Sequence, residues 1–171
     1  MTADTAAETR RRIRAAMERR DHAAVVSLLT PDVAFHSPII STAFEGRQAV
    51  GDVIAGVIDT FGDLHYTAEA SEGDLQILSF RARVRGRDIE AVDLLRVNDA
   101  GLVYDITVLI RPLAGLATVA AVLAPYVARG RTRALLLRAF ATPIAALLTL
   151  IEPLIPRLIH TRTHTHTSQE Q

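Results

Sequence analysis

Between Leu75 and Arg111 apolar and polar residues alternate with a period of two, and two glycine-bearing breaks cut the run into three antiparallel strands. Leu75 to Arg85 is followed by Gly86-Arg87 and then by Asp88 to Val97. Glycine first in a two-residue loop predicts a type II′ hairpin. That loop sets Arg85 opposite Asp88, Val84 opposite Ile89, Arg83 opposite Glu90 and Phe80 opposite Asp93. One face then carries Leu78, Phe80, Ala82, Val84, Ile89, Ala91, Asp93 and Leu95. The other carries the arginines and their acidic partners, in cross-strand pairs worth roughly 0.2–1 kcal/mol each. A third strand follows the turn Asn98-Asp99-Ala100-Gly101. A four-residue loop puts Asp93 opposite Ile106 and brings Tyr104, Ile106, Val108 and Ile110 onto the apolar face; a three-residue loop would turn Asp105 inward instead.

Upstream the period changes to that of helices. Thr5-Ala6-Ala7-Glu8 fits a capping box and predicts a helix to about Arg19, buried through Ile13, Ala16 and Met17. Asp21 can cap a second short helix through Leu29, stopped by Thr30-Pro31. Val33 to Pro38 reads as a short strand. Arg47 to Phe61 is the clearest helix, with Val50, Val53, Ile54, Val57, Ile58 and Phe61 at helical spacing on a face that packs on the sheet. Leu64 to Ser71 alternates again, as a fourth antiparallel strand.

Composition narrows the picture. The 171 residues suffice for one domain plus an extension, and 49% of them are hydrophobic, enough for a real core. The formal net charge is zero, which argues against general nucleic-acid binding. There is no cysteine, so neither disulfides nor thiolate metal sites can form. All 19 basic residues are arginine. The cluster from Arg10 to Arg20 reads as a solvated helix face balanced by Glu8, Glu18 and Asp21. The N-terminus is polar and lacks an apolar signal core, so the expected location is the cytoplasm. Phosphate loops, nucleophile elbows and dinucleotide fingerprints are absent, and neither a cofactor nor a metal is expected.

The candidate chemistry centres on Asp93, the one charged residue on the apolar face of the sheet. A buried carboxylate must pair, accept hydrogen bonds or take up a proton. Asp93 is therefore either a general acid/base in a dry pocket or a structural carboxylate bonded to a neighbour. His36, at the end of its strand, is either its proton partner or a histidine bonded to a loop carbonyl. Tyr66 is either a cavity residue with its hydroxyl inward or a core tyrosine with a wet tip. Phe80, Tyr104, Ile106, Ile54 and Ile58 complete the expected apolar ligand lining.

The order helix, helix, strand, helix, then four antiparallel strands carries a resemblance. Its residues are the helical pair before Thr30-Pro31-Asp32, the segment Val33-Ala34-Phe35-His36-Ser37-Pro38, Phe44-Glu45-Gly46-Arg47 at the start of the third helix, Val92-Asp93-Leu94-Leu95-Arg96-Val97, and Asp105 through Pro112. Together, over roughly residues 6 to 115, the chain resembles the SnoaL-like branch of the nuclear transport factor 2-like superfamily. The resemblance implies an α+β cone, in which a curved antiparallel sheet wraps the N-terminal helices around a hydrophobic cavity. It also implies a range of activities, from polyketide cyclases, ketosteroid isomerases, epoxide hydrolases and dehydratases to binders without catalysis, so fold does not settle function. Asp93 sits where several catalytic relatives place a pocket carboxylate. Epoxide hydrolase relatives add an arginine two residues earlier and a second aspartate after an arginine in the last strand. This chain has Ala91 and Arg111-Pro112 there, which argues against that chemistry.

Beyond Pro112 the pattern departs from the domain. Leu113 to Ala128 and Ala134 to Ile151 are strongly apolar and helical in character, separated by Arg129, Gly130, Arg131 and Arg133. In the second stretch the longest uncharged run, Ala139 to Ile151, is too short for a bilayer, which needs about 20 residues. The helices are expected to fold back on the cone, to pair two copies as a homodimer, or to lie on a membrane surface. His160 to His166 has no acidic or cysteine ligand beside it and reads as a disordered polar tail. The expected organisation is a cone domain over 1–112, an apolar helical extension over 113–159 and a tail over 160–171. The expected function is a pocket for a small hydrophobic molecule, with acid/base chemistry of the cyclase, isomerase or dehydratase type at Asp93. The alternative is a non-catalytic binding or dimerisation module, attached to a membrane surface through its C-terminal helices.

Overall fold

The computed structural model describes residues 3–127. The element order is α1 (Ala3–Glu18), α2 (His22–Ser27), β1 (Leu29–His36), β2 (Phe44–Glu45), α3 (Arg47–Thr60), β3 (Phe61–Glu72), β4 (Leu75–Val84), β5 (Arg87–Val97), β6 (Val103–Arg111) and α4 (Leu113–Val127). The six strands form one sheet in the order β2-β1-β6-β5-β4-β3. All neighbours are antiparallel except β1 and β6, which run parallel because the chain crosses over between them through α3 and four strands. The sheet curves around the helices as an unclosed cone, the α+β fold expected from the element order.

Local chemistry accounts for the elements and for four departures from expectation. α1 begins upstream of the Thr5–Glu8 box, at Ala3. Asp21 caps α2 as expected, accepting from the Ala24 amide at 3.0 Å. α2, however, ends at Ser27 instead of running to Leu29, and β1 starts at Leu29 instead of Val33 and runs through Pro31. A register shift between Leu29 and Ala34 takes up the proline, which has no N–H to give a ladder.

The β4–β5 turn is Arg85-Gly86, not Gly86-Arg87. Both residues have positive φ, +49° and +78°, the geometry of a type I′ turn. The register therefore moves by two: Asp93 faces Leu78 instead of Phe80, Arg81 faces Glu90 and Arg83 faces Asp88. An even shift leaves every side chain on the face the alternation assigns. The new register gives Glu90 cationic partners on both flanking strands, Arg81 and Arg111. The β5–β6 register also moves by two, so Asp93 faces Val108, and a bulge lies between Arg96 and Val97.

The core joins Ile13, Val25, Leu29 and Val33 to Val50, Leu78, Val84, Ile89, Leu95 and Val97 from α3 and the sheet. α4 belongs to the same body: Val119, Val122 and Leu123 pack into this core. Gly56 lets α3 and α4 cross closely, for a Cβ there would stand 2.8 Å from Tyr126 and 2.9 Å from Leu123. Residues 113–127 thus fold back onto the cone. The homodimer, membrane-surface and polar-tail expectations for the rest of the C-terminal stretch fall on 128–171, outside the described residues. No helix among the described residues is long and apolar enough to cross a membrane.

Candidate active site

Inside the cone lies a cavity of about 400 Å³. Its walls come from α1 (Ile13, Met17), β1 and the loop after it (Phe35, Ser37, Pro38, Ile39, Ile40), α3 (Val53, Ile54, Val57) and the inner face of the sheet (Tyr66, Phe80, Asp93, Leu95, Ile106, Val108, Ile110). α4 closes it through Ala117, Ala120, Leu123 and Ala124. Of the lining side chains only Ser37, Tyr66 and Asp93 are polar. Ile39 and Ile40, 43% and 45% exposed, mark the rim. Were such a cavity dry and empty, the loss at about 24 cal/mol per Å³ would approach 10 kcal/mol, comparable to the whole stability of a domain. Water inside it finds three polar side chains where each buried water wants about three bonds, so a ligand displaces that water readily.

Asp93 stands in mid-β5 with its side chain toward this space, as the alternation predicts. It is half-buried because its carboxyl borders the cavity. It forms neither a hydrogen bond nor an ion pair with any described residue. Desolvation raises its pKa from 3.8 to about 7, so the proton is exchangeable near neutrality.

Tyr66, on β3, is 7% exposed, and its hydroxyl has no hydrogen-bond partner. Burial and then the nearby Asp93 charge hold its pKa well above 10, so it remains a donor. Its ring is fixed from two sides. Phe80 meets it edge-on at 5.7 Å between centroids, and the Arg14 guanidinium lies 5.9 Å over the ring. Arg14 is itself bonded to Glu18 and Glu69. Asp93 and Tyr66 thus both line one apolar space, neither side-chain oxygen has a protein partner, and a buried polar group without a partner is costly.

Phe80, Ile106 and Ile54 line the cavity as expected. Three other candidates stand elsewhere. His36 points to the opposite side of β1 from Phe35, and its Nε2 lies 2.9 Å from Asp105 Oδ2 on the outer surface. It does not meet Asp93. Tyr104 is the extra residue of the β5–β6 bulge, which turns Val103 inward and leaves Tyr104 38% exposed, donating to Asp74 Oδ2 at 2.8 Å. Ile58 borders a separate surface hollow with Met17 and Leu64, while Val57, one residue back, reaches the cavity. The α4 contribution is the part that sequence reasoning missed. Its apolar spacing was visible, but nothing local says which face of a uniformly apolar helix meets a cavity.

With this geometry in view, comparison with known proteins is informative. No curated protein matches the chain in sequence. A crystal structure described as a steroid delta-isomerase from Pseudomonas aeruginosa superposes with a TM-score of 0.68 at 29% identity, covering 73% of this chain and 92% of its own. An uncharacterised protein with a cystatin-like fold from Silicibacter pomeroyi gives 0.67 at 27% identity, covering 77% and 92%. A nuclear transport factor 2-like protein of unknown function from Mesorhizobium loti gives 0.59 at 20% identity, covering 64% and 93%, a likeness of fold alone. The SnoaL-like domain family matches residues 10–106, from the first helix to mid-β6, and so takes in Tyr66 and Asp93. On that match, which takes in more than half of the chain, the chain belongs to the SnoaL-like domain family.

Proposed function

We propose that the chain binds a small, largely apolar molecule carrying a carbonyl oxygen, and that Asp93 moves a proton at the carbon beside that carbonyl. The observation that carries this reading is the pair of unpartnered oxygens, on Asp93 and Tyr66, in an otherwise apolar cavity. Tyr66 donates to the carbonyl oxygen. The Asp93 carboxylate takes a proton from the adjacent carbon, the C–H pair becomes the new C=C bond, and the carbonyl electrons move onto oxygen, where the Tyr66 O–H stabilises them. Returning the proton to a different carbon completes an isomerisation, and the balance of atoms is closed without a co-reactant. A carboxyl that titrates near 7 suits both halves, because the group that accepts the proton must also release it. The 29% identity to a structure described as a steroid delta-isomerase supports the isomerase type.

Cyclic β,γ-unsaturated ketones of one to four rings are the direct test, followed by the ultraviolet absorbance of the conjugated product. Turnover by the full chain that falls about 10²-fold or more in Asp93→Asn is expected, the usual weight of acid/base catalysis. Turnover equal in the two proteins would end the catalytic reading. A second reading, binding without catalysis, is favoured by one observation: among the described residues no histidine or second carboxylate lines the cavity beside Asp93. Saturable binding of the same ketones without product would select it.

A further inference from the structure

A bulge on β3 brings a charged network to the ring of Tyr66. Residues three apart on a regular strand point to opposite faces. On β3, however, Tyr66 pairs with Phe80 and Glu69 with Leu78, and the register shifts between Tyr66 and Ala68, where Thr67 is the extra residue. Phe80 and Leu78 are both buried inner-face residues, so Tyr66 and Glu69 share that face. Thr67 is tied down at the bulge, its hydroxyl donating to the Ser79 carbonyl at 3.2 Å. Glu69 thereby meets α1. It accepts from Arg14 and, at 2.9 Å, from Arg10, while Glu18, one turn along α1, accepts from Arg14 at 3.1 Å. Held by these two carboxylates, the Arg14 guanidinium lies 5.9 Å from the centroid of the Tyr66 ring, within reach of a cation–π contact. The hydroxyl of that ring is buried and has no partner. Asp93, Glu18 and Glu69 favour its keeping the proton, and Arg14 opposes them.

We infer that Arg14 is a positioning residue for the proposed reaction: clamped by Glu69 and Glu18, it fixes the ring of Tyr66 and strengthens the hydrogen bond that the hydroxyl gives to a ligand oxygen. This role rests on the proposed donation from Tyr66 and adds the group that tunes it. Arg14 does not line the cavity, so it acts through the ring. A cation over the ring draws electron density from the phenol oxygen and makes its O–H a stronger donor. The effect grows as negative charge develops on the ligand oxygen, which is where a proton-transfer reaction needs it. With the cation at the ring and not at the oxygen, the hydroxyl stays free for the ligand.

The probe is 1-tetralone, a small aryl ketone. It is titrated by calorimetry into the full chain, Arg14→Gln, Tyr66→Phe and the double variant, and the carbonyl stretch of the bound ketone is read by infrared difference spectroscopy. Arg14→Gln is expected to weaken binding about fivefold and to move the stretch to higher wavenumber, toward its position in Tyr66→Phe. In the Tyr66→Phe background the same substitution is expected to change neither quantity. Equal weakening in both backgrounds with the stretch in place would mark Arg14 as a purely structural residue and overturn the inference. A folded Arg14→Gln that matches the parent in affinity and stretch also overturns it, and in both cases the Tyr66 donor stands. Arg14→Met, which keeps the stem and suits a helix, takes the same test should Arg14→Gln not fold. If 1-tetralone fails to bind the parent, or its stretch is the same in Tyr66→Phe, the oxygen site falls and this inference with it.

Discussion

At the scale of single residues, the protein places an acid where partial burial disfavours its charge. Asp93 gains no hydrogen bond to offset desolvation, so the folded state holds its proton up to about pH 7, whereas an unfolded chain releases it near 3.8. The folded state therefore binds more protons than the unfolded state between those values. Its contribution to stability is fully present below pH 3.8 and is lost as pH rises through 7. Chemical denaturation of Asp93→Asn is expected to abolish that part of the pH dependence. The loss removed is on the order of 2–4 kcal/mol between pH 4 and 8, at 1.36 kcal/mol per pH unit. Identical pH profiles for the two proteins would mean that Asp93 is hydrated or paired. Tyr66→Phe keeps the ring between Arg14 and Phe80 and removes an unpartnered hydroxyl, so its expected effect on unliganded stability is neutral to favourable by about 1 kcal/mol. The same change is expected to weaken 2-naphthol binding about tenfold, read by fluorescence titration. A variant that lost stability and kept its affinity would mark Tyr66 as a structural residue.

At the scale of elements, two contacts decide whether a cavity exists. The first is the crossing of α3 and α4 at Gly56, where no Cβ fits without moving Tyr126 or Leu123. Gly56→Val is expected to lower stability by about 1–3 kcal/mol, the usual cost of overpacking, in a urea melt. An unchanged midpoint would show that the helices can separate freely there. The second is the attachment of α1, which lays Ile13 and Met17 over the cavity. Arg10 and Arg14 both reach Glu69 on β3, Arg10 also donates to buried Gln76 on β4 at 2.7 Å, and Thr9 donates to the Gly101 carbonyl at 2.8 Å. These arginines are thus more than the solvated helix face their composition suggests. Periodicity places them on the polar side of α1, but it cannot tell that this side faces the far half of a curved sheet.

At the scale of the whole molecule, α4 joins the cone instead of extending from it. Its buried Val119, Val122 and Leu123 belong to the common core, so removing residues 113–171 is expected to abolish the cooperative thermal transition seen by circular dichroism. A fragment 1–112 that melted at the temperature of the full chain would restore a boundary at 112. The order of the helices and longer strands, the inner face of the sheet and the inward direction of Asp93 were legible, because the two-residue period survives any even shift of register, while the short β2 was not. Both hairpins are shifted by two, at Arg85-Gly86 and at the Arg96/Val97 bulge, and both leave Asp93 facing inward. Tyr104 and His36 were misjudged for reasons that pattern does not carry. One is displaced by the bulge. The other sits one residue past the strand position that looks inward.

Local alternation and helical spacing by themselves determine that this chain builds a helix-lined antiparallel sheet and that position 93 puts a carboxyl among apolar side chains. Those are properties of backbone geometry repeated along a strand or helix, and they need no partner. Which oxygens meet in the cavity, which wall α4 supplies and how much space stays unfilled depend on contacts between residues far apart in the chain. Only the curvature of the sheet and the crossing of α3 with α4 decide them, since the same apolar face can end in a packed core or in a hollow.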